Sequence, residues 1–424
     1  MAGPPDASQG DSTTHAIERT VAARPERLRS LDVFRGLTVA AMLLVNDPGD
    51  ARAVFSPLRH ATWHGWTPTD LVFPFFLFIV GITTQLSLAA RAERGDDDAA
   101  IRRQVLRRAG IILLLGLLIN WYPFYQSGAI AGHAAPSFGD RVVARLLQLR
   151  LTGVLQRIAV VYLAAALLTW KAPVRRIVAA TAALLVGYWL AMTLLPVPGQ
   201  HALGVALLDE PSRTLAAWSD RLLFDWTRWG LGNHLWDASR TWDPEGALST
   251  LPAIATALLG VLAGRWLAPP RSAPAAERVS ALCAAGALAM TLGLAWGWAF
   301  PINKNLWTSA YAVFTAGVAC LALGTVTWIV DGQRWDRWTQ PFVAFGANPM
   351  AAFVGGELLA RIIHSSLKVK VDGQRMGLEE WLARHAFGSW LDPRAASLAY
   401  ALCFVALWYL ILDRLYRRRI YWRI

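Results

Sequence analysis

A histidine and an aspartate share one short stretch, Arg59-His60-Ala61-Thr62-Trp63-His64-Gly65-Trp66-Thr67-Pro68-Thr69-Asp70, which runs directly into an apolar segment. An imidazole exchanges a proton or accepts an acyl group near neutral pH, and a carboxylate within reach fixes its tautomer and stabilises its cation. His60 with Asp70 is therefore the leading catalytic pair. Two other readings stand beside it. His60 and His64, four residues apart, could join Asp70 in a zinc site, or Asp70 could simply cap the helix that begins at Leu71.

The segments that must position this pair are set by composition. The chain has 424 residues, 55% hydrophobic and only 17% charged, with mean hydropathy +0.36, where a soluble domain carries about a quarter charged residues. Its apolar residues fall in runs long enough to cross a hydrocarbon core of about 30 Å. The expectation is an all-α polytopic transmembrane helix bundle of about ten spans, near 31–47, 69–90, 105–121, 152–170, 175–195, 248–268, 279–299, 306–330, 341–363 and 394–416. Twenty-three Lys and Arg flank one side of this arrangement and 15 the other. The positive-inside rule then puts both termini in the cytoplasm. Connections 48–68, 122–151, 196–247, 300–305 and 364–393 face outward, placing His60 outside.

The net charge of +12 sits in clusters between apolar runs, Arg102, Arg103, Arg107 and Arg108 among them, so it argues for topology and a lipid bilayer rather than nucleic acid. Arginine outnumbers lysine 37 to 4, the bias of a GC-rich, bacterial genome, which suggests an inner (plasma) membrane. Cys283, Cys320 and Cys403 are too scattered for a disulfide framework or metal cluster. Many of the 21 tryptophans lie at span ends, as in interfacial belts. Residues 1–30 lack the apolar core of a signal peptide and read as a disordered cytoplasmic tail, followed by a membrane domain over 31–420.

Polar groups within or beside spans cost about 2.5–3.5 kcal/mol each and call for a reason. Asp32 and Arg35 open the first span and Asn46 closes it. Fourteen residues of helix, about 21 Å and close to four turns, put Asp32 and Asn46 on one stripe at opposite faces. Gln156 and Arg157 lie just inside the fourth span, Asp243 and Glu245 precede the sixth, and Asn303-Lys304-Asn305 fills the turn before the eighth. The ninth holds Asn348 beside Pro349, and Glu357 with Arg361 one turn later. Each alone reads as a cap, a snorkelling cation or an ion pair. Together they suggest a hydrophilic outer cavity that binds a sugar, or one that lines a permeation path without any chemistry.

Seven separated segments then carry a resemblance: LRSLDVFRGLTVAAMLLVN (28–46), RHATWHGWTPTDLVFPFFLFIVG (59–81), LTGVLQRIAVVYL (151–163), WDPEGALSTLPAIATALLGVLAG (242–264), FPINKNLWTSAY (300–311), FGANPMAAFVGGE (345–357) and the terminal RRRIYWRI. In this order they resemble the heparan-α-glucosaminide N-acetyltransferase family of transmembrane acyltransferases. The resemblance implies an acetyl group taken from cytoplasmic acetyl-CoA and passed to the amine of a glucosamine unit across the membrane. It implies that His60 is the reactive histidine, while His64 stands where the family pattern has Asn, and that Asp70 and Asn46 occupy family positions. On that footing Asp70 orients His60, and Asn46 donates to the thioester oxygen as it becomes an oxyanion. Arg35 and Asp32 serve the acetyl-CoA end, and Arg157, Gln156, Asp243, Glu245, Asn303, Lys304, Asn305, Asn348 and Glu357 the acceptor. No metal is expected, the partners are an amino-sugar or glycan acceptor and the bilayer, and a second copy of the chain is a candidate partner.

Overall fold

In the computed structural model, residues 29–130, 133–268, 274–371 and 374–422 are described. All but the last two residues of the expected tail therefore lie outside the described residues. Each expected span contains helix. In chain order these are α1 (Arg29–Asn46), α2 (Val72–Arg94) and α3 (Asp98–Trp121), then, past a short α4 (Phe138–Leu146), α5 (Val154–Thr169) and α6 (Val174–Leu194). After α7 (Leu215–Phe224) follow α8 (Thr250–Leu267), α9 (Ala275–Trp296) and α10 (Ser309–Thr327). The pair α11 (Gln340–Ala347) and α12 (Pro349–Arg361) precedes α13 (Pro393–Arg417).

Among the described residues seven helices are long and apolar enough to cross a membrane, and α11 with α12 forms one bent pair. The other two expected spans fall short for visible reasons: α1 carries Arg29, Asp32 and Arg35 in its first seven residues, and α5 has 16 residues. Large side chains point away from the bundle, among them Leu114, Leu288 and Leu410, each more than 60% exposed. Such a surface suits hydrocarbon and would drive association in water. The protein is an integral membrane protein.

Helix ends follow local chemistry. Asp97 caps α3 by accepting from Ala100 N at 3.2 Å, and Asp392 caps α13, whose first residue is Pro393. A continuous helix over 341–363 is corrected to two segments bent by 74°. Pro349 has no N–H and disfavours helical torsions in its predecessor, and Asn348 adopts φ −130°, ψ 54°. A second departure from an all-helical chain is a hairpin, β1 (Lys368–Val371) antiparallel to β2 (Gln374–Gly377), with Val369 opposite Met376.

Small residues let the central helices touch. A Cβ at Gly81 of α2 would collide with the Ala257 carbonyl of α8, and one at Gly260 with that of Phe78. Gly36 of α1 and Gly346 of α11 meet the backbones of Phe342 and Asp32 in the same way. Close backbone approach of this kind is how helices associate where no hydrophobic force separates them from lipid. The packing brings the last turns of α1, α3 and α12 and the first turns of α2, α5, α8 and α10 to one end, with the long connections over them.

Candidate active site

At that end the connection after α1 folds back so that His60 meets Asp70. His60 Nδ1 lies 2.6 Å from Asp70 Oδ1. The second carboxylate oxygen accepts the backbone N–H groups of Ala61 and Thr67, each at 3.0 Å, and the Thr67 hydroxyl at 3.2 Å. The Tyr311 hydroxyl donates to the Asp70 carbonyl at 2.5 Å. Asp70 is wholly buried and surrounded by donors, so it acts as the acceptor, and the proton it shares with His60 belongs on Nδ1. Nε2 is left with the lone pair. Capping and pairing are one arrangement: the Thr67 N–H at the start of the Pro68–Leu71 turn is satisfied by the same carboxylate that orients the imidazole.

Lys304, from the turn between α9 and α10, brings its Nζ to 3.0 Å from His60 Nδ1, 3.3 Å from Nε2 and 3.7 Å from Asp70 Oδ1. Burial pushes this ammonium below the usual lysine range, with Asp70 and Glu245 opposing the shift. Asn303 builds the turn, its Oδ1 accepting from Leu306 N at 2.8 Å. His64 does not join His60 and Asp70 in a metal site. Its Nε2 lies 2.7 Å from Asp209 and its Nδ1 3.3 Å from Asn303 Nδ2.

His60, Lys304, Asn305, Asn46 and Glu245 line one cavity of about 420 Å³. Two residues that sequence reasoning did not select complete it, Arg150 and Trp236. Arg150 donates from Nε to Asp243 at 2.9 Å and also bonds Glu245, while Thr152 holds Asp243 from below. Burial alone would lower the Arg150 guanidinium, but Glu245 and Asp243 outweigh it and hold it above its ordinary range. Asp243 is thus a buried anchor and Glu245 the carboxylate at the cavity wall.

The remaining candidates are placed elsewhere. Arg157 is buried behind the cavity, donating to Ser249 Oγ at 2.5 Å and to Gly246 O at 3.2 Å, with its guanidinium 5.1 Å from the Trp307 ring centre. Gln156 is buried against Gly116 and Gly153 between α3 and α5. Glu357 bonds Asn46 and lines a neighbouring cavity. Asn348 sits at the opposite end of the bundle, near Asp32, where its amide donates to Ile420 O at 3.0 Å and accepts from Trp422 N at 2.8 Å. There too Arg35 bonds Asp32 at 2.6 Å.

Fold and site together define a class: polytopic helical membrane proteins with a histidine–carboxylate pair in a polar cavity at one end of the bundle. Residues 27–216 match the family model described as heparan-alpha-glucosaminide N-acetyltransferase, catalytic. The chain is 30% identical to the human protein named heparan-alpha-glucosaminide N-acetyltransferase, over 95% of its own length and 61% of the relative's. It is also 30% identical to the mouse protein of the same name, over 94% and 60%. The chain is similar to this family along nearly its whole length, and spans about three fifths of the length of these relatives.

Proposed function

We propose that the protein is an acetyl-CoA-dependent N-acetyltransferase that moves an acetyl group across a bacterial inner membrane to the amine of a glucosamine-type sugar. The observation that carries this reading is the His60–Asp70 pair, its carboxylate held by three further donors, with His60 lining a polar cavity. Acetyl-CoA enters from the cytoplasmic end, where Arg35 offers a planar fork suited to phosphate and Asp32 holds that fork in place. The thioester reaches the cavity beside Asn46. The acceptor enters from the outer end, where Glu245, Asn305 and Trp236 supply the carboxylate, amide and aromatic face that recognise an amino sugar.

Two routes share this geometry. In one, His60 Nε2 attacks the thioester carbonyl carbon, the C–S bond breaks, and CoA leaves as a thiolate that takes up a proton. The neutral amine then attacks the acetyl carbon, the Nε2–C bond breaks, and the amine's surplus proton goes to solvent. In the other, the amine attacks the thioester carbonyl carbon directly while Nε2 takes its surplus proton, the C–S bond breaks, and CoA leaves as a thiolate that takes up a proton. Negative charge develops on the acetyl oxygen in both. Lys304 Nζ beside the ring and the Asn46 amide are the donors placed to meet it.

The test is thiol release from acetyl-CoA by the purified protein, with and without glucosamine, beside His60→Ala. Glucosamine-dependent release that vanishes in the variant is expected, and retention of a radiolabelled acetyl group on the protein without acceptor identifies the first route. Absence of release with a panel of amino sugars overturns the reading in favour of a permease.

A further inference from the structure

The connection between α6 and α8 carries a carboxylate that the chemistry above does not use. Asp220 sits on α7, whose start is capped by the Thr214 hydroxyl, accepting from Ala217 N at 3.1 Å. Leu215 and Ala216 dock this helix into an apolar cluster with Tyr188, Met192, Phe300 and Leu306, so packing sets its position. From there the buried Asp220 reaches the turn before α8. Its Oδ1 accepts from Ala247 N at 3.0 Å and its Oδ2 from Asp243 N at 3.2 Å. One carboxylate thus takes a backbone N–H from each end of the 243–247 turn. Gly246 lies between, where a Cβ would collide with both Asp220 oxygens, so only glycine allows the approach. The buried Arg157 grips the same turn from its carbonyl side, donating to Gly246 O at 3.2 Å. Between these two grips, Pro244 and Glu245 line the catalytic cavity.

We infer that Asp220 is a positioning residue for the acceptor: it fixes the 243–247 turn so that Glu245 presents its carboxylate to the amino sugar at one place. The inference rests on the acetyltransferase reading of the cavity. Residues 243–247 belong to no helix or strand, so their backbone has no ladder of its own to hold it. Two charge-assisted bonds from one carboxylate replace that ladder. Arg150 and Thr152 hold the side chain of Asp243, whereas Asp220 and Arg157 hold the backbone, and the backbone sets the direction in which the Glu245 side chain leaves. Without the Asp220 charge, Glu245 still reaches the cavity but is no longer held to one position. The loss then falls on binding of the acceptor and leaves the His60–Asp70 pair as it is, which raises KM for the sugar and spares kcat.

The experiment measures kcat and the KM values for glucosamine and acetyl-CoA, read by thiol release, in the parent, Asp220→Asn, Glu245→Gln and the double variant. Assays run at about pH 8, because burial, with Asp243 adding to it, raises the Asp220 carboxyl to about 7, and above that it is ionised. In Asp220→Asn an amide NH2 replaces one acceptor oxygen and faces a backbone N–H. KM for glucosamine should rise about tenfold, the worth of one charge-assisted contact, while kcat and KM for acetyl-CoA stay within about twofold. Glu245→Gln should show the same pattern. Because Asp220 acts through Glu245, the double variant should match Glu245→Gln alone, where independent sites would multiply to about a hundredfold. Gly246→Ala pushes the turn off the same carboxylate, and it serves, alone and with Glu245→Gln, if Asp220→Asn does not fold. An unchanged KM for glucosamine, an equal loss in kcat or in KM for acetyl-CoA, or a multiplicative double variant overturns the inference alone. So does failure of both Asp220→Asn and Gly246→Ala to fold, which would make Asp220 a scaffold of the whole connection. No thiol release by the parent with any amino sugar overturns the acetyltransferase reading and takes this inference with it.

Discussion

Asp70 is held by more bonds than either capping or catalysis alone requires, and that redundancy separates the roles of the two residues in the pair. His60 is about half exposed and adds little to packing, so His60→Ala should leave the melting temperature within a degree or two while cutting thiol release by about a thousandfold or more. Unchanged release in a folded His60→Ala protein would exclude His60 from the chemistry. Asp70→Asn replaces one acceptor oxygen by a donor amide in a pocket already filled with N–H groups. It should cost both stability and about a hundredfold or more in kcat, through the wrong imidazole tautomer. Lys304 gives a pH signature. Its lowered range means the ammonium loses its proton at lower pH than an ordinary lysine, so kcat/KM should decline early on the alkaline side. Lys304→Arg, which stays charged throughout, should move that decline to higher pH, and an unmoved limb would show that the charge is not used. The pair itself was legible because His60 and Asp70 lie on one connection. Arg150 and Trp236 were not, since their positions depend on how two long outer connections fold against each other. Likewise, nothing local announces that His64 turns to Asp209, 145 residues away.

Among the elements, the apolar runs located each of the seven helices long and apolar enough to cross a membrane among the described residues, because a stretch that must bury or lipidate all its sides leaves an unbroken signal. What hydropathy does not register is a break inside such a run. The 341–363 segment is mostly apolar on both sides of Pro349, yet Pro349 splits it, and the split turns α11 across the start of α1 while α12 rises to the site. That is why Asn348, expected with Glu357 among the acceptor-binding residues, clamps the C-terminal segment at the far end. The short α4 and α7 also escaped, as amphipathic turns inside polar connections. Glycine contacts hold the bundle together at its centre, and they can be tested against an internal control. Gly81→Leu or Gly260→Leu drives a side chain into the facing backbone of α8 or α2. Overpacking of this kind costs about 1–3 kcal/mol, visible as a melting temperature several degrees lower in detergent. Gly187→Leu, on α6 where an added Cβ meets nothing, should melt like the parent. Equal melting of all three variants would mean that these backbones can separate without penalty.

Across the whole molecule the proposal requires one end to face acetyl-CoA and the other the acceptor, with α1 as the strut between them. Asp32 and Asn46 stand about 21 Å apart along that helix, so no single side chain spans the distance. The extended pantetheine arm of acetyl-CoA must bridge it through the bundle. The arginine clusters at 102–108 and 417–419 then lie on the acetyl-CoA side, where they fix orientation. With Cys283, Cys320 and Cys403 replaced by serine, single cysteines report the sidedness. Ser389→Cys, exposed in the connection before α13, and Ala99→Cys, exposed at the start of α3, mark the two ends. In intact cells a membrane-impermeant maleimide should label Ser389→Cys at once and Ala99→Cys only after permeabilisation. In sealed vesicles, acetyl-CoA supplied on the Ala99 side should support acetylation of glucosamine held on the Ser389 side, and acetyl-CoA supplied on the Ser389 side should not. The reverse labelling pattern would invert the bundle and leave the charge clusters unexplained. Labelling as expected, with acetylation from either side, would instead place the thioester's entry at the outer cavity, removing Arg35 and Asp32 from the route while keeping His60 at its centre.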